Sequence, residues 1–540
     1  MIRISELAVP VSDESPLEAL AAERLSLSRG AVRRVSVVRR AVDARRRRGA
    51  PILFSYVLDV ETEDSDARVL ARFRRDKKVS AAPEKEPSVF ARLAGNKTVA
   101  LEKRPVVVGF GPAGIFAALA LATAGVAPIV LERGQDVDAR HAAVEEFWSG
   151  GAFDGETNVQ FGEGGAGTFS DGKLTARGGD PMQRDVLDAF VRAGAPEEIL
   201  YLAKPHIGTD RLRSVVKNIR AEITRLGGEV RFGARADALE FGADGVRAVR
   251  LAGGERIETD AAFFAIGHSA RDTYQMLYEA GVAMEAKAFA VGVRIEHPQE
   301  MIDRVQYGED AGNPHLGAAD YALTFQDEVT GRGAYSFCMC PGGQVVAAAS
   351  EAGRVVTNGM SLYARASGAA NAALLVQVRP EDFGGAVLGG VAFQREYETA
   401  AFRIAGGDWR APVQSVGDFL RGVSGSTDFC IEPTYRPGVV ACRIDDCLPS
   451  FVTRTLRDAL PAFDEKIHGF AAADVPMTGV EMRSSAPCRI VRDRETFESV
   501  STPGLYPIGE GAGYAGGIMS ASVDGLKAAL AFLRQMGKIE

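Results

Sequence analysis

Two cysteines, Cys338 and Cys340, are separated by a single residue and are the side chains best suited to redox chemistry. Thiols at this spacing can join in a disulfide, pass electrons, or attack a substrate as thiolates. We interpret residues 334–340 as a strand, and the Pro-Gly-Gly that follows favours a turn. Because alternate residues of a strand share a face, we expect both thiols to line one cavity. The alternative is an apolar strand with two buried, unreactive cysteines.

A histidine at the predicted start of a helix is the candidate for proton transfer. His206 precedes Gly208-Thr209-Asp210, and an imidazole there can give or take a proton near neutral pH. A structural hydrogen bond is the alternative reading. No cysteine or histidine spacing indicates a metal site, so we predict no metal ligands. The predicted catalytic residues are Cys338, Cys340 and His206.

A glycine-rich turn follows an apolar run at residues 105–108, which is typical of a buried parallel strand. Gly109 allows the tight turn, Gly111 admits a pyrophosphate close to the backbone, and Gly114 lets the next helix pack on the strand. The N-terminus of that helix offers N–H groups to phosphate, and Glu132 ends the next strand, where an acid accepts from ribose hydroxyls. The residues predicted to touch a dinucleotide here are Gly109, Gly111, Pro112, Ala113, Gly114, Glu132 and Arg133.

Later motifs decide which dinucleotide this is. A second glycine-rich loop spans residues 164–172, an apolar strand ends at Gly267, and residues 505–512 read Leu-Tyr-Pro-Ile-Gly-Glu-Gly-Ala. In this order they resemble the motifs of two-dinucleotide-binding-domain flavoproteins of the glutathione-reductase-2 class. The resemblance implies non-covalent FAD, and no second glycine motif indicates a separate NAD(P)H domain. The further residues that it places at the cofactor are Gly164, Gly165, Ser170, Gly172, Ala236, Gly267, Gly509, Glu510, Gly517 and Ile518.

Four more segments extend the resemblance over nearly the whole chain. Residues 205–210, 289–298, 337–343 and 355–359 are similar to those of a bacterial family of uncharacterised FAD-dependent dehydrogenases. This resemblance implies an FAD-dependent oxidoreductase that transfers hydride or electrons between the flavin and a small or hydrophobic substrate. The family leaves the substrate open, and with it the electron donor and acceptor.

The element pattern predicts an α/β protein: a Rossmann-like FAD-binding domain, an inserted α+β substrate or cap domain, and a small N-terminal α+β module. Apolar runs and turn residues indicate a βαββα order for that module. A charged, proline-marked linker should follow it. The predicted boundaries are 1–78 for the module, 79–103 for the linker, 104–284 and 481–540 for the FAD-binding domain, and 285–480 for the insertion.

The charge pattern bounds the partners. The 540 residues carry 63 basic and 71 acidic side chains, a formal net charge of −8, which argues against a protein built wholly for nucleic acid. The N-terminal module is nevertheless rich in arginine, at Arg33, Arg34, Arg39, Arg40 and Arg45 to Arg48. An RNA-associated flavoprotein that docks through this patch therefore stays open as an alternative.

Two further alternatives do not depend on the patch. One is an enzyme like the prenyl-chain reductases, in which an aromatic-rich strand ends in Pro-x-Gly, and Pro341-Gly342-Gly343 matches that ending. The other is a flavin-loaded redox sensor without turnover.

The cysteine distribution and the lack of an apolar leader favour a cytoplasmic protein. All six cysteines lie after residue 337, unlike the dense pattern of secreted disulfide scaffolds. The start has no apolar signal core, and the uncharged stretch 105–131 contains too many glycines and prolines for a membrane span. We expect a small-molecule substrate and no membrane span. The sequence does not indicate an oligomeric state.

Overall fold

The computed structural model describes residues 1–45, 51–84, 86–94, 101–175 and 178–537. The strands in these ranges are β1 Ile2–Pro10, β2 Val32–Asp43, β3 Leu53–Thr62, β4 Val79–Ala81, β5 Val106–Val108, β6 Ile129–Leu131, β7 Glu229–Arg231, β8 Ala236–Gly242, β9 Gly245–Leu251, β10 Arg256–Glu258, β11 Ala262–Phe264, β12 Met284–Ala286, β13 Phe289–Pro298, β14 Thr324–Asp327, β15 Arg332–Cys340, β16 Gly343–Ala347, β17 Thr357–Ser361, β18 Ala369–Val378, β19 Ala411–Ser415, β20 Val439–Ala441, β21 Pro476–Glu481, β22 Cys488–Ile490 and β23 Leu505–Pro507. The α-helices are α1 Leu17–Arg24, α2 Asp66–Arg72, α3 Val89–Ala94, α4 Pro112–Thr123, α5 Val137–Trp148, α6 Met182–Arg192, α7 Thr209–Arg225, α8 Arg271–Glu279, α9 Gln299–Tyr307, α10 Gly389–Ile404, α11 Val416–Arg421, α12 Ser450–Asp464 and α13 Ile518–Gln535.

The N-terminal module is a four-stranded antiparallel sheet in the order β2-β3-β1-β4, with α1 and α2 as its helices. The sequence predicts a βαββα unit that ends at residue 78, and the structure adds a strand. β4 pairs with the start of β1, Ile2 opposite Ala81 and Ile4 opposite Val79. Because β1 would otherwise be an edge strand with unpaired backbone groups, this pairing completes the sheet. The module therefore extends into the predicted linker.

A further described part of the predicted linker forms a helix. Helix α3 buries Val89, Phe90 and Leu93 in the hydrophobic core that surrounds α4. The rings of Phe90 and Phe116 lie 6.4 Å apart. Three apolar side chains on one helix face need a surface to cover, and α4 supplies it, so part of the segment predicted as a linker over 79–103 packs into the core.

A five-stranded parallel sheet forms the Rossmann-like core in the order β23-β11-β5-β6-β7. β5 lies in its centre and is buried on both faces, as its uninterrupted valines predict. A Cβ on Gly114 would overlap the carbonyl oxygen of Gly109, and a Cβ on Gly525 would overlap that of Ala113. Glycine at these two places lets α4 pack against its own strand and lets α13 pack against α4. The predicted α/β class with a Rossmann-like domain is confirmed.

The insertion is built on a seven-stranded mixed sheet in the order β14-β15-β18-β13-β21-β19-β20, and the hairpin β16–β17 forms a separate two-stranded sheet beside it. The chain enters and leaves it through paired strands, β12 against β22. Strands β13, β15, β17 and β21 carry the side chains that reach the site described below. Among the described residues, no helix is long and apolar enough to cross a membrane.

The module docks on the main body through the edge of β2. The amide of Arg40 donates to the Tyr201 carbonyl at 2.7 Å, and the amide of Ala203 donates back to the Arg40 carbonyl at 2.9 Å. The Arg40 guanidinium also lies over the rings of Phe54 and Tyr201. Part of the predicted basic patch is thus used inside the molecule, and Arg46 to Arg48 lie outside the described residues.

Candidate functional site

One cavity lies between the glycine-rich loops of the Rossmann-like domain and the sheet of the insertion. Nearly all the residues predicted to touch the cofactor line it, and the exceptions are Gly114 and Gly164, which pack behind the wall. The predicted residues on its wall are Gly109, Gly111, Pro112, Ala113, Glu132, Arg133, Gly165, Ser170, Gly172, Ala236, Gly267, Gly509, Glu510, Gly517 and Ile518. They come from segments more than 400 residues apart, which the fold brings together beside the parallel sheet.

Two glycine loops and two helix N-termini form a cradle in the middle of this cavity. Gly111 caps α4, and a Cβ on it would lie 3.5 Å from the Cα of Gly165. Gly517 caps α13 at a φ of 92°, where a larger residue would be strained. Both helices present free N–H groups and the positive end of their dipoles to the cavity. The cradle suits a pyrophosphate, because side chains are absent where the backbone must approach it.

Glu132 lies at the predicted place but is also part of the loop scaffold. Its carboxylate accepts from the amides of Phe110 at 2.8 Å, Gly162 at 2.9 Å and Gly134 at 3.0 Å. It is buried and lines the cavity. Each carboxylate oxygen has two lone pairs, so acceptor capacity is left for the ribose hydroxyls of a dinucleotide.

The neighbouring part of the cavity has a cation, an aromatic ring and a backbone turn. The Arg133 guanidinium lies 4.2 Å from the centre of the Phe161 ring, and Glu156 and Asp272 hold it by ion pairs. The segment from Ala234 to Ala236 forms the facing wall. Ala236, which the resemblance places at the cofactor, is the first residue of β8, and β8 belongs to a separate antiparallel sheet from β7.

A β-bulge in β15 brings Cys338 into the cavity. The pairing of β15 with β18 shifts between Phe337 and Cys340, and Cys338 has a φ of 41°, which is rare for a residue other than glycine. Bulges re-aim side chains and occur beside active sites. Cys338 is partly exposed and lines the cavity, whereas Cys340 is fully buried and lies behind the wall. The expectation that both thiols line the cavity is therefore wrong for Cys340, because the bulge breaks the strand alternation.

Two cations hold the bulge by its backbone. Arg294 donates to the carbonyl of Cys338 at 2.9 Å, and the Lys173 ammonium donates to the carbonyl of Met339. Lys173 also lies 3.3 Å from the buried carboxylate of Asp171, which pairs with Arg365. Lys173 was not predicted as a site residue, although the pattern Ser-Asp-Gly-Lys at the end of a glycine-rich loop is a signal for it.

The electrostatics make Cys338 the reactive thiol of the pair. The adjacent Cys340 thiol, together with the charges of Lys173 and Arg294, holds the pKa of Cys338 well below its usual range against the opposing effect of burial. The adjacent Cys338 sulfur and burial raise the pKa of Cys340, whose thiol donates to the Cys338 carbonyl at 3.2 Å. At neutral pH the structure therefore favours a Cys338 thiolate beside a protonated Cys340.

Arg294 is the centre of a buried polar network that the sequence analysis did not identify. It is fully buried, and its guanidinium forms two hydrogen bonds with Glu481, at 2.8 and 3.0 Å. It also donates to the side-chain oxygens of Asn358 and Asn371 at 3.0 and 3.1 Å. A Cβ on Gly359 would overlap this guanidinium, so glycine there leaves room for it. The signal that could have identified it is an arginine in an otherwise apolar strand, followed later by a strand that contains a glycine.

His206 does not lie on the wall of the cavity. Its Nε2 lies 3.0 Å from the carbonyl oxygen of Tyr363, and its ring stacks on the Tyr363 ring. Burial lowers its pKa, so it is mainly neutral at pH 7 and a poor proton donor. His268 does line the cavity, but burial lowers its pKa to about 3. The proton-transfer role predicted for His206 finds no support in this geometry.

A second buried charge network joins the insertion to the Rossmann-like domain. Glu398 of α10 is fully buried and forms ion pairs with Arg271 at 2.6 Å and with Arg483 at 2.9 Å. Arg483 lines the cavity as well. This network fixes the insertion over the cradle.

The donor set fits a dinucleotide with a flavin. The two helix N-termini would face a pyrophosphate, Glu132 could accept from a ribose, and Glu510 beside α13 offers a further acceptor on the same wall. The remaining wall comes from the insertion, through Phe337, Cys338, Asn358 and Glu481.

Comparisons with known proteins agree with this geometry. Residues 288–484 match the family model described as FAD-dependent protein, C-terminal domain-like, and residues 1–61 match a domain of unknown function. An uncharacterized protein of Clostridium beijerinckii is 48% identical over 530 residues, which cover 98% of each chain.

Among solved structures, the likenesses are distant. The halogenase PltM shares 9% identity at a TM-score of 0.38, covering 82% of this chain and 71% of that one. L-proline dehydrogenase from P. horikoshii shares 10% identity at a TM-score of 0.34, covering 82% and 96%. The family assignment depends instead on the close relative and the family model. The chain belongs to an uncharacterised family of FAD-dependent proteins, and FAD is its cofactor.

Proposed function

We propose that the protein is an FAD-dependent oxidoreductase that transfers hydride or electrons between the flavin and a small or hydrophobic substrate, and that the substrate reacts beside Cys338. The observation that carries this proposal is the strained bulge. Backbone strain of this kind persists only where surrounding contacts impose it, and it is concentrated at functional sites. Here two charged side chains impose it and aim one thiol into the cofactor cavity.

The chain's own residues would bind and orient the cofactor. The amides at the start of α4 and α13 would hold the pyrophosphate, Glu132 a ribose, and Arg133 with Phe161 the adenosine part. Bound FAD supplies the hydride or electron chemistry, and the protein supplies orientation and electrostatics. Substrate would then lie against Cys338 and Phe337, whose ring is 41% exposed and offers an apolar surface.

The pKa values of two side chains on the cavity wall, Cys338 and Glu510, support the proposal. The Cys338 thiolate is available at neutral pH because its pKa is lowered. Burial raises the pKa of Glu510 to about 7, so this carboxyl can hold or release a proton near neutral pH. A thiolate and a carboxyl poised near pH 7 on one cavity wall are typical of an active site.

The alternatives receive no comparable support. In the described part of the basic patch, Arg40 packs against Tyr201, and Arg45 forms an ion pair with Asp43 at 2.6 Å. RNA binding through this module and activity like that of the prenyl-chain reductases are therefore kept as secondary hypotheses. A cytoplasmic location is also a proposal, and the six free cysteines suit a reducing compartment.

The test is anaerobic stopped-flow spectroscopy of the flavin in the purified protein. NADH, NADPH and then a panel of metabolites would be screened for those that bleach or restore flavin absorbance. We expect Cys338→Ser to slow one half-reaction at least tenfold while FAD stays bound, because it removes the thiolate. Cys442→Ser, which changes a thiol outside the cavity, is the control. Equal rates in the wild type and Cys338→Ser for every reactive compound would overturn the proposal.

A further inference from the structure

The two cysteines at the bulge lie close together but have unequal surroundings. The Cys340 thiol donates to the backbone carbonyl oxygen of Cys338 at 3.2 Å, which places the Cys340 sulfur against the Cys338 residue. Both cysteines are free. Cys338 faces the cavity, and Cys340 has no exposed surface. An incoming molecule therefore meets Cys338 first and has no direct route to Cys340.

This asymmetry matches the two parts of a thiol–disulfide exchange. The attacking thiol must be accessible and ionised, and the resolving thiol needs only to reach the sulfur of its neighbour. The short loop between the two cysteines keeps them within such reach, since two residues span at most about 7 Å. The Lys173 ammonium binds the carbonyl of Met339, midway between the thiols, and can stabilise a thiolate on either.

We propose that Cys338 and Cys340 form a redox-active dithiol–disulfide pair, with Cys338 as the attacking thiol and Cys340 as the resolving thiol, and that the class of substrate is a disulfide. The inference rests on the proposed function, because it takes Cys338 as the group that meets substrate. It adds the identity of the second thiol and the chemistry of the substrate.

The exchange balances in two steps. The Cys338 thiolate attacks one sulfur of the substrate disulfide, so a Cys338–substrate S–S bond forms, the substrate S–S bond breaks, and one product leaves as a thiolate. Cys340 then attacks the Cys338 sulfur, which forms the Cys338–Cys340 bond and releases the second product, and the Cys340 proton leaves with it as a thiol. The substrate gains two electrons and the pair loses two. Reduced FAD is the electron source that would return the pair to the dithiol.

The test uses a chromogenic disulfide, dithiodipyridine, on the full-length FAD-loaded protein at about pH 6, where ordinary thiols are mostly protonated. Every variant carries Cys430→Ser and Cys442→Ser, which remove the other partly accessible thiols. With both site cysteines present we expect two thiopyridone molecules per chain and no stable adduct. Cys340→Ser should release one and keep a mixed disulfide on Cys338, which mass spectrometry detects. Cys340→Ala serves as a second variant should the serine disturb folding.

The outcomes separate the two proposals. A stable adduct on Cys338 with Cys340 present, at one thiopyridone per chain, would overturn the resolving role and leave the proposed function intact. No rapid reaction at Cys338 in any variant would overturn both. A second readout is reductive titration after oxidation with excess disulfide and removal of the reagent: the pair should take up two electrons more than Cys338→Ser, in which the buried Cys340 has no partner for an S–S bond. Equal uptake by both proteins would contradict the inference.

Discussion

At the scale of single residues, the charge on the Cys338 sulfur depends on side chains that come from three separate segments. Cys340 shares its strand, Lys173 follows the second glycine loop, and Arg294 stands on β13. Since each favours the thiolate, removing one should raise the pKa of the thiol without removing the thiol itself. Substitutions of these neighbours therefore test how the charge on the sulfur is set, while the thiol itself stays in place.

Replacing the lysine tests this directly. We expect Lys173→Met to raise the pKa of Cys338 by about 1–3 pH units, because an adjacent positive charge is lost. The measurement is the rate of iodoacetamide alkylation at Cys338 against pH. In the wild type the rate should rise through about pH 5 and be level above it, since the thiolate is the nucleophile. Lys217→Met, which changes a partly exposed lysine on α7 that pairs with Asp138 and does not line the cavity, is the control. An unchanged profile in Lys173→Met would contradict the role of Lys173.

The cradle gives a second prediction at this scale. Gly111→Asp should abolish flavin retention, because a carboxylate would enter the gap between Gly111 and Gly165 and face the pyrophosphate. Gly111→Ala should be milder, because its Cβ makes an ordinary 3.5 Å contact. The ratio of flavin to protein after desalting measures both. A folded Gly111→Asp protein with stoichiometric FAD would show that the pyrophosphate lies elsewhere.

At the scale of elements, the site depends on how β13, β15 and β17 meet. Arg294 on β13 reaches across to the bulge of β15, and the backbone of β17 passes over it at Gly359. The bulge is therefore held from β13, which lies two strands away in the sheet, beyond β18. Its position is also linked to the packing of the hairpin β16–β17, which carries Gly359. A substitution on β17 should therefore change the reactivity of Cys338 through Arg294, without direct contact with the thiol.

Gly359→Ala tests that link. The new Cβ would overlap the Arg294 guanidinium and the Asn371 side chain, so we expect a loss of about 1–3 kcal/mol in the free energy of unfolding. Iodoacetamide should also react more slowly with Cys338 at about pH 6, because displacement of the Arg294 guanidinium raises the pKa of the thiol and lowers the fraction of thiolate. Gly253→Ala is the matched control, since nothing lies within 4 Å of its Cβ, and it should change stability by less than about 0.5 kcal/mol. Equal effects of the two substitutions would contradict the role of β17.

Sequence reasoning identified the elements whose signals are local. The glycine turn, the strand of valines before it and the acid after it lie within 30 residues, and each has a fixed physical purpose. Lys173, Arg294 and the bulge were missed for the opposite reason. Lys173 meets Met339 across 166 residues of chain, and a bulge leaves no periodic pattern. The same limit explains the error on Cys340, since strand alternation predicts a shared face only where the ladder is regular.

At the scale of the whole molecule, the N-terminal module stands apart from the cofactor. None of the described residues that line the cavity precedes Val108. The module touches the body through β2 and the segment from Tyr201 to Ala203. Helix α3, by contrast, belongs to the core around α4. The boundary that matters for FAD binding therefore falls between β4 and α3.

Two truncated proteins test this boundary. A protein that starts at Pro87 keeps α3 and should retain FAD, whereas one that starts at Arg104 keeps the same cavity residues but should melt at a lower temperature. Each buried apolar side chain of α3 is worth about 1.5–3 kcal/mol, so the difference should be large. Flavin content and thermal unfolding are the measurements. Loss of all flavin from a folded protein that starts at Pro87 would contradict the separation.

The central claim is that a Cys338 thiolate lies beside the flavin, and the absorbance spectrum of the purified, FAD-loaded protein tests it most directly. A thiolate against an oxidised flavin adds a broad band at wavelengths longer than those of the flavin alone. We predict this band in the wild type and in Cys442→Ser, its loss on acidification through about pH 5, and its absence in Cys338→Ser. An identical spectrum in the wild type and Cys338→Ser at every pH, with FAD bound in both, would contradict the claim.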